Sequence, residues 1–219
     1  MITIDFETYY DKDFSLTKLT TEEYVRDPRF EVIGVAVKVN DGVTEWFSGD
    51  FQQTAIWLRQ FDWENQFVLA HNAMFDSAIL TWHFGIKPKA WLDTLCMARA
   101  TLGVNTSMSL AKLTEHFGLG AKGTEVDDAK GFRRLDFSPE HLAQYAEYCR
   151  NDVDLTYKLY HELNTGFPTK EKKLIDLTIR MFSEPVLELD GPRLVSHLQE
   201  VRDKKQKLFT DAEIGRAHV

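Results

Sequence analysis

The chain opens with MITIDFETYY, a strand with a conflict inside it. Ile2, Ile4 and Phe6 alternate with Thr3, Asp5 and Glu7, the two-residue period of a pleated strand with one apolar face. Asp5 and Glu7 therefore point to the same side and repel. A strand of this kind belongs in a sheet, with its acids at a place where something cationic meets them, because a buried unpaired carboxylate is costly. A single Asp-x-Glu is weak evidence, and an exposed strand face accounts for most such pairs. Its meaning depends on the rest of the chain.

At 219 residues, 43% hydrophobic and 27% charged, the chain has the size and composition of one globular domain with some extra. Its apolar runs are too short to span a bilayer, and no signal-peptide pattern precedes the first strand. Cys96 and Cys149 are the two cysteines, without CxxC spacing. That speaks against a disulfide framework or a zinc site, and both are expected to be small buried apolar residues in a reduced, cytoplasmic protein. The net charge of −8 argues against a protein held to nucleic acid by general phosphate attraction. It leaves room for a nucleic-acid enzyme whose site is acidic because it holds metal ions.

Local signals order the elements. TTEEYVRD reads as a short helix with a Thr cap, early acids and Pro28 as a stop. FEVIGVAVKV and VTEWFS flank Asn40-Asp41-Gly42, a hairpin signal. DFQQTAIWLRQF is a helix capped by Asp50, QFVLA a buried strand, and NAMFDSAILTWHFG a helix closed by Gly85. WLDTLCMARAT gives a strand end and a helix, and SLAKLTEHFGLG a helix ending at Gly118. Residues 118–137 lack a period and carry four glycines, so a long loop is expected there. Ser138-Pro139-Glu140 then starts a helix running to about Leu163. A strand meander followed by strand–helix alternation predicts an α/β fold with a mixed central sheet flanked by helices.

Two further acidic positions change the weight of the first pair. In HNAMFD, Asn72 and Asp76 are four apart just beyond a buried strand, where α/β sheets place their sites. An acid in a first helical turn is also favoured by the helix dipole alone, which accounts for about half such cases. In YCRND, Tyr148 and Asp152 lie on one helical stripe that continues through Leu155 and Leu159. Beside it runs a stripe of Leu142, Tyr145, Cys149, Val153 and Tyr160, so Asp152 sits at the edge of a buried face, with no Lys or Arg three or four residues away. Converging carboxylates raise one another's pKa unless a cation joins them. Oxygen donors without histidine or thiolate at ligand spacing favour Mg²⁺ or Mn²⁺ over Zn²⁺.

Asp-x-Glu, Asn-x-x-x-Phe-Asp and Tyr-x-x-x-Asp, in this order, resemble the three motifs of the DEDD 3′–5′ exonucleases. The resemblance implies a ribonuclease H-like fold, with Asp5, Glu7, Asp76 and Asp152 as metal ligands and, with Tyr148, as catalytic residues. It implies the tyrosine branch, because Tyr148 stands four before Asp152 while Glu147 occupies the position of the other branch's histidine. The wider text of residues 1–165 is similar to the proofreading domain of phage and prophage family A DNA polymerases. That likeness implies a bacterial or phage-infected host, two divalent ions (Mg²⁺ or Mn²⁺), a DNA 3′ end (single-stranded or a frayed primer terminus) as substrate, and a covalently linked polymerase domain as partner, with no membrane. Asp5 would bridge both ions, Glu7 and Asp152 would complete one site, Asp76 would reach the other, and Tyr148 would orient the attacking water. Residues 166–212 look like helices leading into a polymerase body, so polymerase activity is not expected in this chain.

Thr8 and Asn72 adjoin the motifs and are expected to hold the terminal nucleotide. Tyr9, Tyr10, Phe14 and Leu16 can stack on bases, though plain packing is the commoner fate of such residues. Lys122, Lys130, Arg133 and Arg134 can grip phosphates, but Glu125, Asp127 and Asp128 make a solvated loop as good a reading. Asp93 reads as a helix cap, and His71 and His83 as structural. The tail EIGRAHV, residues 213–219, back-translates to the start of a sequencing adapter and is set apart from the fold. Two other readings remain: a free-standing RNA-trimming exoribonuclease, and an inactive nucleic-acid-binding module, which intact acids disfavour.

Overall fold

The computed structural model describes residues 1–103, 105–121 and 129–212. Strands β1 (Ile2–Thr8), β2 (Val32–Val39), β3 (Glu45–Phe47), β4 (Phe67–Ala70) and β5 (Ala90–Asp93) form one sheet in the order β3-β2-β1-β4-β5. β1, β2 and β3 run antiparallel, while β1, β4 and β5 are parallel, so the expected mixed α/β sheet flanked by helices is the one observed. The hairpin turns at Asn40, whose φ of 50° is the left-handed conformation that asparagine tolerates.

Local chemistry sets the helix starts. Thr20 and Asp50 each form a capping box, at α1 (Thr21–Arg26) and α2 (Phe51–Leu58), satisfying backbone donors that the first turn leaves bare. Asp93 caps α4 (Thr94–Leu102), and Ser109 caps α5 (Leu110–His116). α3 (Ala73–Ala78) widens into a π-turn at Ile79–His83 before Gly85, φ 67°. Ser138 and Pro139 start α6 (Pro139–Asn164), the long helix the sequence called for. In the expected loop, Arg134–Asp136 make a 3-10 turn, and residues 122–128 lie outside the described residues.

The register of β1 decides what each face does. Phe6 pairs with Val35 and Ile4 with Val37, and these side chains join Ile2, Val68 and Trp91 in the main core. Asp5 pairs with Ala36 and Glu7 with Gly34, so the acids share the opposite face, where α6 lies across β1 and β2. Small residues on β2 make room for that approach. Trp46 lies across Gly34, where an added Cβ would fall 2.1 Å from its ring. Asp154 on α6 accepts from Thr44 Oγ1 at 2.5 Å and pairs with Lys38 at 3.0 Å, tying the helix to the hairpin.

Met1–Glu184 form one compact unit and Pro185–Val219 another. The first runs past the expected boundary at residue 165, because α7 (Thr169–Ser183) is bonded to the sheet. Asp176 accepts from the Trp91 N–H at 2.8 Å, Arg180 reaches the carbonyls of Pro88 and Lys89, and the Trp82 indole donates to the Ser183 carbonyl. The second unit contains α8 (Gly191–Asp211), capped by Asp190 and with no buried residue. Residues 213–219, the expected adapter-derived tail, lie outside the described residues. Among the described residues no helix is long and apolar enough to cross a membrane.

Candidate active site

One stripe of α6 faces the acids of β1. Tyr145, Tyr148, Cys149 and Asp152 fall at i, i+3, i+4 and i+7, and all four are buried. The Tyr145 hydroxyl donates to Glu7 Oε2 at 2.5 Å. The Cys149 thiol lies 3.4 Å from Asp5 Oδ2 and 3.5 Å from the Asp5 carbonyl, donating to both. Candidate ligand atoms of Asp5, Glu7 and Cys149 lie within 4.8 Å of one another.

Asp76, on α3, meets β1 at the Phe6 amide. Its Oδ1 accepts the Phe6 N–H at 3.2 Å, which fixes it next to Asp5 in space although 70 residues separate Phe6 and Asp76. Burial, then the charge of Asp5, holds the Asp76 carboxyl well above the ordinary carboxylate range, against the pull of the Phe6 N–H. The corner before it is built by Asn72, left-handed at φ 70° and ψ 49°. Asp93 Oδ1 accepts the N–H of Asn72 and that of Leu95, each at 2.9 Å, so the expected helix cap also locks the corner. His71 is structural as expected, bridging Thr94 Oγ1 at 2.8 Å and the Met108 carbonyl at 2.9 Å. His83 likewise meets the Val25 carbonyl at 2.9 Å.

Tyr148 hydrogen-bonds Asp152, and its hydroxyl is pushed far above the usual tyrosine pKa by burial, then by the charges of Asp152, Glu7 and Asp5. It is therefore a neutral O–H at any physiological pH, suited to orienting a water rather than to taking its proton. Its ring stacks on Tyr145 with centroids 6.1 Å apart, and Tyr145 stacks on Phe137 at 5.4 Å, making a rigid row along α6. The five expected catalytic residues thus come from three elements to one place: Asp5 and Glu7 directly, Asp76 through the Phe6 amide, Tyr148 and Asp152 through α6.

Sequence reasoning passed over Tyr145 and Cys149, reading them as an apolar stripe. Their spacing with Tyr148 and Asp152 carried the signal. Other expectations need correction. Thr8 is buried, with its hydroxyl 2.9 Å from that of Tyr24, which leaves Asn72 as the exposed residue beside the motifs. Phe14 is fully buried and stacks on Tyr24 at 4.4 Å, and Tyr9 is also buried, so for these two the packing role expected as the commoner one is the one observed. Leu16 is exposed. Arg133 pairs with Glu31 and lies over the Tyr9 ring, an internal role where the sequence left phosphate grip and solvated loop equally open, and Lys122 lies outside the described residues. Cys96 is half-buried at the start of α4, not fully buried, whereas Cys149 is fully buried as expected.

The donor set fits a hard divalent cation. Asp5, Glu7, Asp76 and Asp152 offer only carboxylate oxygens, as Mg²⁺ and Mn²⁺ prefer. The one sulfur, Cys149, is held protonated by burial and by the charges of Asp5 and Glu7, so it offers a hydrogen-bond donor rather than a soft thiolate.

Residues 30–167 match the family model for 3′–5′ exonuclease. No curated protein matches the chain in sequence. Solved structures share its fold at low identity. Brucella melitensis NrnC superposes with a TM-score of 0.60 at 16% identity, covering 83% of this chain and 81% of that one, and another structure of that protein holds Mg²⁺. Trypanosoma brucei RNase D in complex with RNA U12 gives a TM-score of 0.64 at 16% identity, over 86% of this chain and 65% of its own. The family B DNA polymerase of the archaeon Pyrobaculum calidifontis gives 0.56 at 17% identity, over 83% of this chain but 26% of the polymerase.

Proposed function

Because the chain belongs to the 3′–5′ exonuclease family and has its ribonuclease H-like fold, we propose that it removes nucleotides from the 3′ end of a nucleic acid by metal-dependent hydrolysis. The observation that carries this reading is the arrangement around β1. Asp5 and Glu7 share a face, Asp76 is held by the Phe6 amide, and α6 lays Tyr148 and Asp152 against them.

Asp5, Glu7, Asp76 and Asp152 would hold two divalent ions, Mg²⁺ or Mn²⁺. When bound, such ions supply Lewis acidity to a water and to the leaving oxygen of an in-line displacement at phosphorus. The chain's own residues do the rest. Tyr145 fixes the Glu7 carboxylate, the Phe6 amide fixes Asp76, and Tyr148, a neutral hydroxyl, orients the attacking water. Asn72, exposed at the corner before Asp76, is placed to contact the terminal nucleotide.

Two substrate readings have support. The resemblance of residues 1–165 to phage and prophage polymerase proofreading domains favours a DNA 3′ end, with residues 166–212 as a helical lead-in to a polymerase. The fold shared with Trypanosoma brucei RNase D, solved in complex with RNA U12, supports the other reading, an RNA-trimming exoribonuclease. Parallel digestion of DNA and RNA single strands of the same sequence, with matched and mismatched primer–template DNA beside them, separates the two. Faster removal of mismatched DNA termini is the result expected of proofreading, and a preference for RNA would overturn that part of the proposal.

A further inference from the structure

The parallel strands β1, β4 and β5 carry the acidic site toward their carboxyl ends. At their opposite ends, where Met1 precedes β1 and Phe67 and Ala90 begin β4 and β5, lies a cavity of about 610 Å³. That volume lies within the range of small-molecule sites, roughly 300–1,000 Å³. It is bounded by the last turns of α6 and the first turns of α7, both within the first compact unit.

The lining combines rings with cations. Phe67, Tyr157, Tyr160 and His161 supply aromatic surface, and Lys172 and Lys173 supply charge. His161 packs edge-on to Tyr157 and Tyr160, with centroids 4.6 and 5.5 Å away, so the rings form a cluster. Phe67 is half exposed, with the Lys89 ammonium 5.4 Å from its centroid. Lys172 bonds the neutral amide of Asn164 at 2.7 Å, and among the described residues neither Lys172 nor Lys173 forms an ion pair. The carboxylate in the wall, Asp176, is already engaged by the Trp91 N–H and by Arg180. In a chain of net charge −8, a ring-lined cavity with uncompensated lysines is a local reversal of sign.

Aromatic faces beside unpaired ammonium groups recognise a flat ring joined to an anion. We propose that this cavity binds a nucleotide unit, its base against the Tyr157–Tyr160–Phe67 surface and its phosphate at Lys172 and Lys173. The unit is either a free mononucleotide or one nucleotide of a strand, since both present the same base and phosphate. The site is separate from the acidic cluster and does not depend on hydrolysis there.

The test measures binding without turnover. Asp5→Ala protein in EDTA is titrated calorimetrically with dGMP and with dT12, and the titrations are repeated in the Lys173→Glu and Tyr160→Ala backgrounds. Binding of either probe is expected, weakened roughly five-fold or more by each cavity substitution. The loss from Lys173→Glu should shrink at high salt. Binding of dT12 without dGMP assigns the site to a strand, and binding of dGMP assigns it to the free nucleotide. Lys173 is exposed, so its variant should keep the parent melting temperature and serve if Tyr160→Ala unfolds. Absence of binding by both probes, or equal binding in folded variants, overturns the proposal whatever the exonuclease assays show.

Discussion

The Tyr145 hydroxyl and Glu7 Oε2 are 2.5 Å apart, a hydrogen bond joining α6 to β1 across 138 residues of sequence. It makes the long helix the part that sets the direction of a carboxylate on the strand. Tyr145→Phe removes the bond while keeping the ring between Phe137 and Tyr148. A hydrogen bond to a charged acceptor contributes about 1.5–3 kcal/mol. The variant should therefore need about ten-fold more Mn²⁺ to saturate, and saturating metal should restore most of the activity. Mn²⁺ binding followed by electron paramagnetic resonance reads the affinity directly. An unchanged affinity would mean that Glu7 is oriented by something else.

Behind that pair stands Gly34, opposite Glu7 in the sheet and beneath the Trp46 indole, which meets Tyr145 edge-on at 6.4 Å. Gly34→Ala forces the indole to shift, because its new Cβ would lie 2.1 Å from the ring. Overpacking of this kind costs about 1–3 kcal/mol. Chemical denaturation should show that loss, and activity should fall with it as Tyr145 is displaced. A variant of parent stability and activity would show that β2 can flex away.

The raised Asp76 carboxyl gives a pH signature. The folded state holds this proton more tightly than the unfolded chain does. The contribution of Asp76 to stability in EDTA is therefore fully present below the ordinary value of 3.8 and is lost as pH rises from there through the raised folded value. Asp76→Asn keeps an acceptor for the Phe6 amide and removes the titration. It should melt higher than the parent in EDTA at neutral pH and gain less from Mn²⁺, whereas the parent should gain clearly. Parallel Tm–pH curves for the two proteins would contradict this assignment.

Asn72 separates conformation from contact. Its left-handed backbone suits glycine, so Asn72→Gly should stay close to the parent in stability, while Asn72→Val should lose about 1 kcal/mol or more. If the amide touches the terminal nucleotide, Asn72→Gly raises KM in a protein that melts normally. Parent kinetics for Asn72→Gly would remove that contact.

Much of this was legible because it is local. The alternation around Asp5 and Glu7, the Asn40 turn, the Asp50 and Ser138 caps and the period of the long helix are written within a few residues of where they act. What escaped was lateral. Nothing near Tyr145 reveals Glu7, nothing near Gly34 reveals the indole above it, and the Asp176 and Arg180 bonds that dock α7 on the sheet join residues about 90 apart. Phe14 shows the same limit from the other side. For an aromatic in a polar loop the sequence favours packing over base contact but names no partner, and the fold supplies Tyr24.

The central claim is that the acids around β1 hydrolyse nucleic-acid 3′ ends with divalent metal. A 5′-labelled single strand, offered as DNA and as RNA with Mg²⁺ or Mn²⁺, tests it most directly. A ladder shortening stepwise from the 3′ end is the expected result, absent with EDTA and absent with Asp5→Ala. Digestion that survives Asp5→Ala, or that proceeds in EDTA, would contradict the account.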